Sequence, residues 1–151
     1  MNDKTFVYVT YIATTPEKLW NALTESDFTE KYFFGSKIES TWQVGSKVTY
    51  SRGGEVTDFG EVQIYDPFSV LSFTWAYVND KTVRDHPTQV TFKLQPMGST
   101  VKLTLKHEGL VETDFVEKDN TFEGFNNGWP AILSNLKSLL ETGDILPIIV
   151  V

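Results

Sequence analysis

The sequence predicts an α+β domain in which an antiparallel sheet is covered on one face by a long C-terminal helix. Three observations carry this. Apolar residues recur with period two from about Lys47 to His107, as they do in strands with one buried and one solvated face. A final apolar stripe, Phe122, Phe125, Trp129, Leu133, Leu136 and Leu140, recurs at three- and four-residue spacing, the signature of an amphipathic helix. Between the first strand and the rest lie two short segments with helix-start signals.

The elements follow in order. Thr5 to Ala13 is rich in β-branched and aromatic residues and reads as a strand. A helix opens next, capped either by Thr15 with Pro16 at its first position or by Thr14 with Glu17 closing a capping box. Leu19, Trp20 and Leu23 share its apolar face. A second short helix is expected over Ser26 to Phe33, before Gly35. Strands then place Val48 with Tyr50, Gly60 with Val62 and Ile64, and Leu71 with Phe73, Trp75 and Tyr77. Arg52-Gly53-Gly54-Glu55 and Asp66-Pro67-Phe68-Ser69 read as turns. After a polar loop, Asn79 to Pro87, the inward rows are Val90, Phe92 and Leu94, then Val101, Leu103, Leu105 and His107. The last helix is expected from about Val116 to Thr142, kinked or restarted at Pro130 and ended by Gly143.

The 151 residues fit one domain, 1–151, without repeats or a linker, and such a chain buries roughly two thirds of its unfolded surface. With 11 Phe and 4 Trp the chain has enough large rings to line an internal cavity, and disorder is excluded. A net charge of −7 without any basic run excludes a nucleic-acid partner. There are no cysteines, hence no disulfides and no thiolate chemistry. The N-terminus lacks the regions of a signal peptide, and the longest apolar stretch, Ile145 to Val151, is too short for the roughly 20 residues of a membrane span. A cytoplasmic protein without a membrane partner is expected. The apolar tail is expected to pack on the domain or on a second copy, giving a monomer or a weak homodimer.

Five segments carry a family resemblance: Thr15-Pro16-Glu17-Lys18-Leu19-Trp20; Lys31-Tyr32-Phe33-Phe34; Gly45-Ser46; Gly60-Glu61-Val62 with Asp66-Pro67 and Phe73-Thr74-Trp75; and Thr104 to Leu110 followed by Gly128-Trp129 and Leu133. In order and spacing they resemble the family named after the activator of Hsp90 ATPase, within the START and Bet v 1-like helix-grip superfamily. The resemblance covers Phe6 to Gly143. It implies a curved antiparallel sheet wrapped around the C-terminal helix, with a cavity between them. It implies no chemistry, because this fold hosts carriers, receptors, cyclases and co-chaperones. Ser46, where glycine is common, and Pro130 after Trp129 depart from the pattern.

The inward aromatics therefore divide between core filling and pocket lining. Those with polar handles, which need partners when buried, point to the cavity. The expected ligand-binding residues are Tyr50, Trp75, Tyr77, Phe92, Phe125 and Trp129, with His107 orienting a polar group of the ligand. As a lone inward histidine, His107 also reads as a hydrogen-bonded structural residue. Asp85-His86 reads as a solvated loop without metal-ligand spacing, and Glu108 and Glu112 read as solvated carboxylates. No nucleophile elbow and no phosphate-cradling loop is present.

Non-enzymatic binding of a small apolar molecule, a lipid or an aromatic polyketide-like metabolite, is the expected function, without a cofactor or metal. The alternatives are an Hsp90 co-chaperone-type interaction module and a cyclase or hydrolase using His107 with a nearby carboxylate. Hsp90 is the less favoured partner. The resemblance implies that the family's namesake carries this kind of domain as its C-terminal half, and here the first strand begins at about Thr5. The outward positions Ser72, Thr74, Thr91, Lys93, Lys102, Thr104 and Lys106 read as a solvated face without an anchoring cluster.

Overall fold

The computed structural model describes residues 3–147. Its elements are β1 (Lys4–Ile12), α1 (Pro16–Thr24), α2 (Ser26–Tyr32), β2 (Lys37–Ser40), β3 (Lys47–Arg52), β4 (Glu55–Asp66), β5 (Val70–Tyr77), β6 (Thr88–Met97), β7 (Thr100–Leu110), a single 3-10 turn (Glu112–Asp114) and α3 (Phe125–Thr142). The strands form one antiparallel sheet in the order β1-β7-β6-β5-β4-β3-β2. Consecutive strands pair from β2 to β7, and only β1 crosses over to pair with β7.

Local chemistry explains the helix starts. Thr15 caps α1, its Oγ1 accepting from the Lys18 N–H at 3.2 Å with Pro16 as first residue. The Thr14 hydroxyl, the other candidate, is buried without a hydrogen-bond partner. The apolar stripe of α3 buries Trp129, Leu133 and Leu136 against the sheet. Gly143, at φ 89°, supplies the left-handed residue that ends it. Two further contacts clamp α3 to β1: Lys137 Nζ donates to the Tyr11 carbonyl at 2.6 Å, and the Ala13 N–H donates to Glu141 Oε2 at 2.8 Å.

The last helix is shorter than its periodicity predicts. Residues 116–124 are not helical, and Gly124 adopts φ 79° and ψ 152° just before the first turn. The Asn126 amide grips the Val116 backbone from both sides, Val116 N–H to Oδ1 at 2.9 Å and Nδ2 to the Val116 carbonyl at 3.0 Å. A Cβ on Gly124 would stand 2.8 Å from the Val116 nitrogen, so only glycine fits there. Phe122 is consequently off the helix and exposed. The helix runs through Pro130 without restarting.

Two further expectations are corrected. Ile64 does not join Val62 on the inner face. The pairing passes from Val62↔Phe73 to Ile64↔Ser72, so β4 has one extra residue, and the bulge reverses the alternation. Ile64 is exposed, and Tyr65 turns inward onto Trp20 at 5.3 Å and Trp42 at 5.9 Å. The outward face is not polar throughout either. On the sheet's edge, β1 exposes Val7, Val9 and Tyr11 beside Lys106, Thr104 and Lys102 of β7. Of the C-terminal tail, Ile145 packs against the core and the Leu146 N–H donates to Asn135 Oδ1 at 3.0 Å. Residues 148–151 lie outside the described ones.

Candidate functional site

Between sheet and helix the interior is filled by rings rather than by space. Phe33 stacks on Tyr50 at 4.7 Å and on Trp75 at 5.9 Å, and Tyr50 lies 4.8 Å from Trp75. Trp129 descends from α3 edge-on to Trp75 at 5.6 Å, Phe33 at 5.7 Å and Phe92 at 6.0 Å. These offset and edge-on arrangements are the ones ring quadrupoles favour, at roughly 0.5–1.5 kcal/mol a pair beyond area burial.

A polar chain runs through this stack. Trp129 Nε1–H donates to His107 Nδ1 at 3.0 Å, which makes that nitrogen the unprotonated one. His107 Nε2–H then donates to Thr88 Oγ1 at 2.8 Å, and the Thr88 hydroxyl donates to the Trp75 carbonyl at 2.7 Å. His107 is 0% exposed, and burial pushes its pKa down to about 3, with Asp114 opposing and Arg84 adding to the shift. Expected to orient a ligand, the ring instead orients Trp129, because both nitrogens are occupied by protein. Glu108 pairs with Lys106 at 3.7 Å on the surface, and Glu112 is exposed in the 3-10 turn.

The space lies at the mouth of this stack, where the sheet and the first turns of α3 diverge. A cleft of about 960 Å³ opens there, walled by Trp75, Tyr77, Phe125 and Trp129 together with Phe33, Phe34 and Phe122. Ala76 on the sheet and Gly124 and Gly128 on the helix side also line it. Of the seven expected site residues, four therefore reach the cleft. Tyr50 and Phe92 are buried in the stack behind its wall, as is His107. Tyr77 reaches the cleft not as an inward core residue but as a rim residue, 49% exposed, because β5 ends there.

The cleft also holds groups that sequence patterning did not single out. Phe34, held at φ 50° and followed by Gly35 at φ 75°, leans over it to meet Phe122 at 5.7 Å. A non-glycine residue at positive φ carries strain of order 1–3 kcal/mol, tolerated where the surroundings impose it. Across the mouth, Arg84 forks onto Asp114 at 2.7 and 2.8 Å and reaches Asp80 through Nε at 2.8 Å. This ties the 79–87 loop to the 3-10 turn, so part of the polar loop is a wall and not only a solvated segment. Asp85 and His86 in the same loop are exposed. Asp58 completes the wall: its Oδ1 accepts from Trp75 Nε1 at 3.2 Å and its Oδ2 from the Thr57 hydroxyl at 2.9 Å. Burial raises its pKa, against the lowering effect of both hydrogen bonds and of Arg52. These residues belong to no periodic row, and only the pairing of distant charges brings them together. Among the described residues, no group of three or more His, Asp or Glu is arranged to hold a metal ion.

A second hollow of about 760 Å³, between the α1–α2 turn and β2–β3, is lined chiefly by Glu25, Ser26, Asp27, Thr41 and Lys47. It has a single ring, Trp42, and lacks the apolar wall that ligand sites typically show. No helix among the described residues is long and apolar enough to cross a membrane.

Comparison with known proteins agrees with this architecture. Residues 13–141 match the family model described as Activator of Hsp90 ATPase homolog 1-like protein. No curated protein matches the chain. Among solved structures, protein MLL2253 from Mesorhizobium loti is 29% identical, with a TM-score of 0.75 over 94% of this chain and 100% of that one. The Aha1 dimer from Colwellia psychrerythraea is 21% identical, with a TM-score of 0.71 over 93% and 98%. An HSP90 activator from Plasmodium falciparum is 23% identical, with a TM-score of 0.70 over 90% and 95%. The curved seven-stranded sheet gripping a C-terminal helix is the helix-grip fold of these neighbours. With the match spanning most of its length, the chain belongs to the family of Activator of Hsp90 ATPase homolog 1-like proteins.

Proposed function

We propose that the protein binds a small, largely apolar molecule in the cleft at the mouth of the sheet–helix interface. One observation carries this reading: an open space of about 960 Å³ whose walls are seven aromatic rings and whose rim is held by a charged lock. That volume lies at the upper end of the range of small-molecule sites, and apolar walls with a few placed polar groups are their usual construction. The rings supply affinity by burial, at roughly 25 cal/mol per Å² of apolar surface removed from water. Binding without chemistry is favoured because the one buried histidine is neutral and bonded at both nitrogens.

The test is a screen of a lipid and metabolite library by amide chemical-shift perturbation. Hits should shift the amides of Trp75, Tyr77, Phe125 and Trp129 together. Hits that shift none of these four, or a library that yields no hits, would sink the reading.

A second reading, docking on Hsp90, is favoured by one observation, the exposed row Val7, Val9 and Tyr11 on β1. Three side chains on one strand fall well short of the roughly 800 Å² per partner of a standard interface. A molar excess of this protein should therefore leave the ATP hydrolysis rate of the cognate Hsp90 unchanged; a several-fold rise would promote this reading to first place.

A further inference from the structure

Charge is unevenly distributed in the cleft, and the imbalance bears on what the cleft accepts. Its wall holds four carboxylates, Asp58, Asp80, Asp114 and Glu123, and two guanidinium groups, Arg52 and Arg84, a difference of two negative charges. Most of these are already paired. Arg84 spends Nε on Asp80 and both terminal nitrogens on Asp114. Glu123 stands 3.8 Å from Lys118 on the surface. Asp58 differs from the other three. Its two hydrogen-bond partners, the Trp75 indole and the Thr57 hydroxyl, are neutral, and among the described residues no salt bridge reaches it. Arg52, whose charge acts on Asp58, sends its terminal nitrogen to Ser36 Oγ at 3.3 Å.

Asp58 is thus a partly buried charge on an aromatic wall with spare acceptor capacity. An ionised carboxylate offers about four lone-pair positions. The protein uses one on each oxygen, and the Trp75 N–H fixes the group against the edge of that ring. A cation arriving here would gain a charge-assisted hydrogen bond to a carboxylate that the protein has already partly withdrawn from water. An anion would instead meet the excess of carboxylates, with Arg52 as its sole available counter-charge.

Resting on the cleft-binding reading, we propose that the cleft selects apolar molecules bearing a protonated amine, with Asp58 as the anchor and the Trp75 and Phe33 rings as the bed of the apolar body. The same burial that raises the Asp58 pKa means that an incoming ammonium group would stabilise the ionised form.

The experiment uses three probes with one apolar body, naphthylmethylamine, naphthylmethanol and naphthoate, titrated at neutral pH and followed by amide chemical shifts. The amine should bind about tenfold more tightly than the alcohol, equivalent to about 1.4 kcal/mol, with naphthoate the weakest. Asp58→Asn should erase the amine's advantage over the alcohol. Asparagine retains both local bonds, accepting from Trp75 through Oδ1 and donating to Thr57 through Nδ2, so the variant should fold. Arg52→Gln should tighten amine binding by removing the opposing charge. Alcohol and amine binding equally, naphthoate binding most tightly, or an Asp58→Asn variant that keeps the preference would each overturn this inference and leave the cleft reading standing. Failure of all three probes to shift cleft amides would overturn both.

Discussion

Two aromatic regions lie end to end under α3, and only one of them encloses space. In the deeper region, Phe33, Tyr50, Phe73, Trp75, Phe92 and Trp129 form ring contacts with centroids 4.7 to 6.4 Å apart. At the mouth stand four more rings, Phe34, Tyr77, Phe122 and Phe125, yet a cleft remains between them. The difference comes from what stands opposite each ring. In the deep region sheet and helix both present large side chains, so rings interlock. At the mouth the backbone before α3 is turned aside by the Asn126–Val116 bonds, and the space beside it stays open. Aromatic content therefore sets how much apolar wall a protein of this kind has; the course of the backbone ahead of the helix sets whether the wall encloses a core or a site.

Trp129 belongs to both regions and is the sharpest probe of the contrast. It is 2% exposed, touches Phe33, Trp75 and Phe92, and donates to His107. Trp129→Ala should cost roughly 3–5 kcal/mol in denaturant unfolding, the range for a large ring removed from a packed core. A loss under about 1 kcal/mol would mean that the cleft extends inward and that the deep region is not close-packed. The wall charges come next. Asp114→Ala leaves Arg84 without its bidentate partner and the Val111 N–H without its acceptor. A destabilisation of about 1–3 kcal/mol is expected, with faster proteolysis of the 79–87 loop. An unchanged midpoint and an intact loop would show that the rim holds without its lock.

The polar chain through the deep region makes a pH signature that the mouth does not share. His107 has a folded pKa of about 3, below its ordinary 6.5. The unfolded chain therefore takes up a proton that the folded one refuses. Stability should be full above about pH 6.5 and should fall as pH drops from there towards 3, by up to about 1.4 kcal/mol per unit. In His107→Gln the slope between pH 6.5 and 5 should flatten; an unaltered slope would assign that proton uptake elsewhere. Asp80 and Glu141, with lowered pKa values, add their own loss only at more acidic pH, while Asp58, with its pKa raised, acts in the opposite direction. The smallest stability effect belongs to the mouth itself. Phe122 is exposed, and Phe122→Ala should move stability by under about 0.5 kcal/mol while weakening any ligand that perturbs the cleft amides. Equal affinity in variant and wild type would place the ligand away from the Phe34–Phe122 lip.

The features legible in the sequence are those that depend on near neighbours in the chain. The Thr15-Pro16 helix start, the turns at Gly53-Gly54 and Asp66-Pro67, the end of α3 at Gly143 and the alternation of β6 and β7 are all set by propensity or period, and the structure has them where the pattern puts them. The five family segments made the order of elements legible as well. Where the periods break, and which distant groups meet, depends on long-range packing. The β4 bulge reverses Ile64 and Tyr65 because Trp20 and Trp42 offer Tyr65 a packing partner that no local pattern contains. Residues 116–124 stay out of α3 because Asn126 and Asn127 bind the backbone of Val116 and Gly124 lets it pass close by. His107 and Trp129, 22 residues apart, satisfy each other, which turns an expected ligand contact into a buried strut. Arg84, Asp114, Asp58 and Trp75 form the wall of the cleft from four separate stretches of chain. Charged and hydrogen-bonding side chains carry no periodicity, so their partners are chosen only when the sheet closes around the helix and burial penalises every polar group left without one.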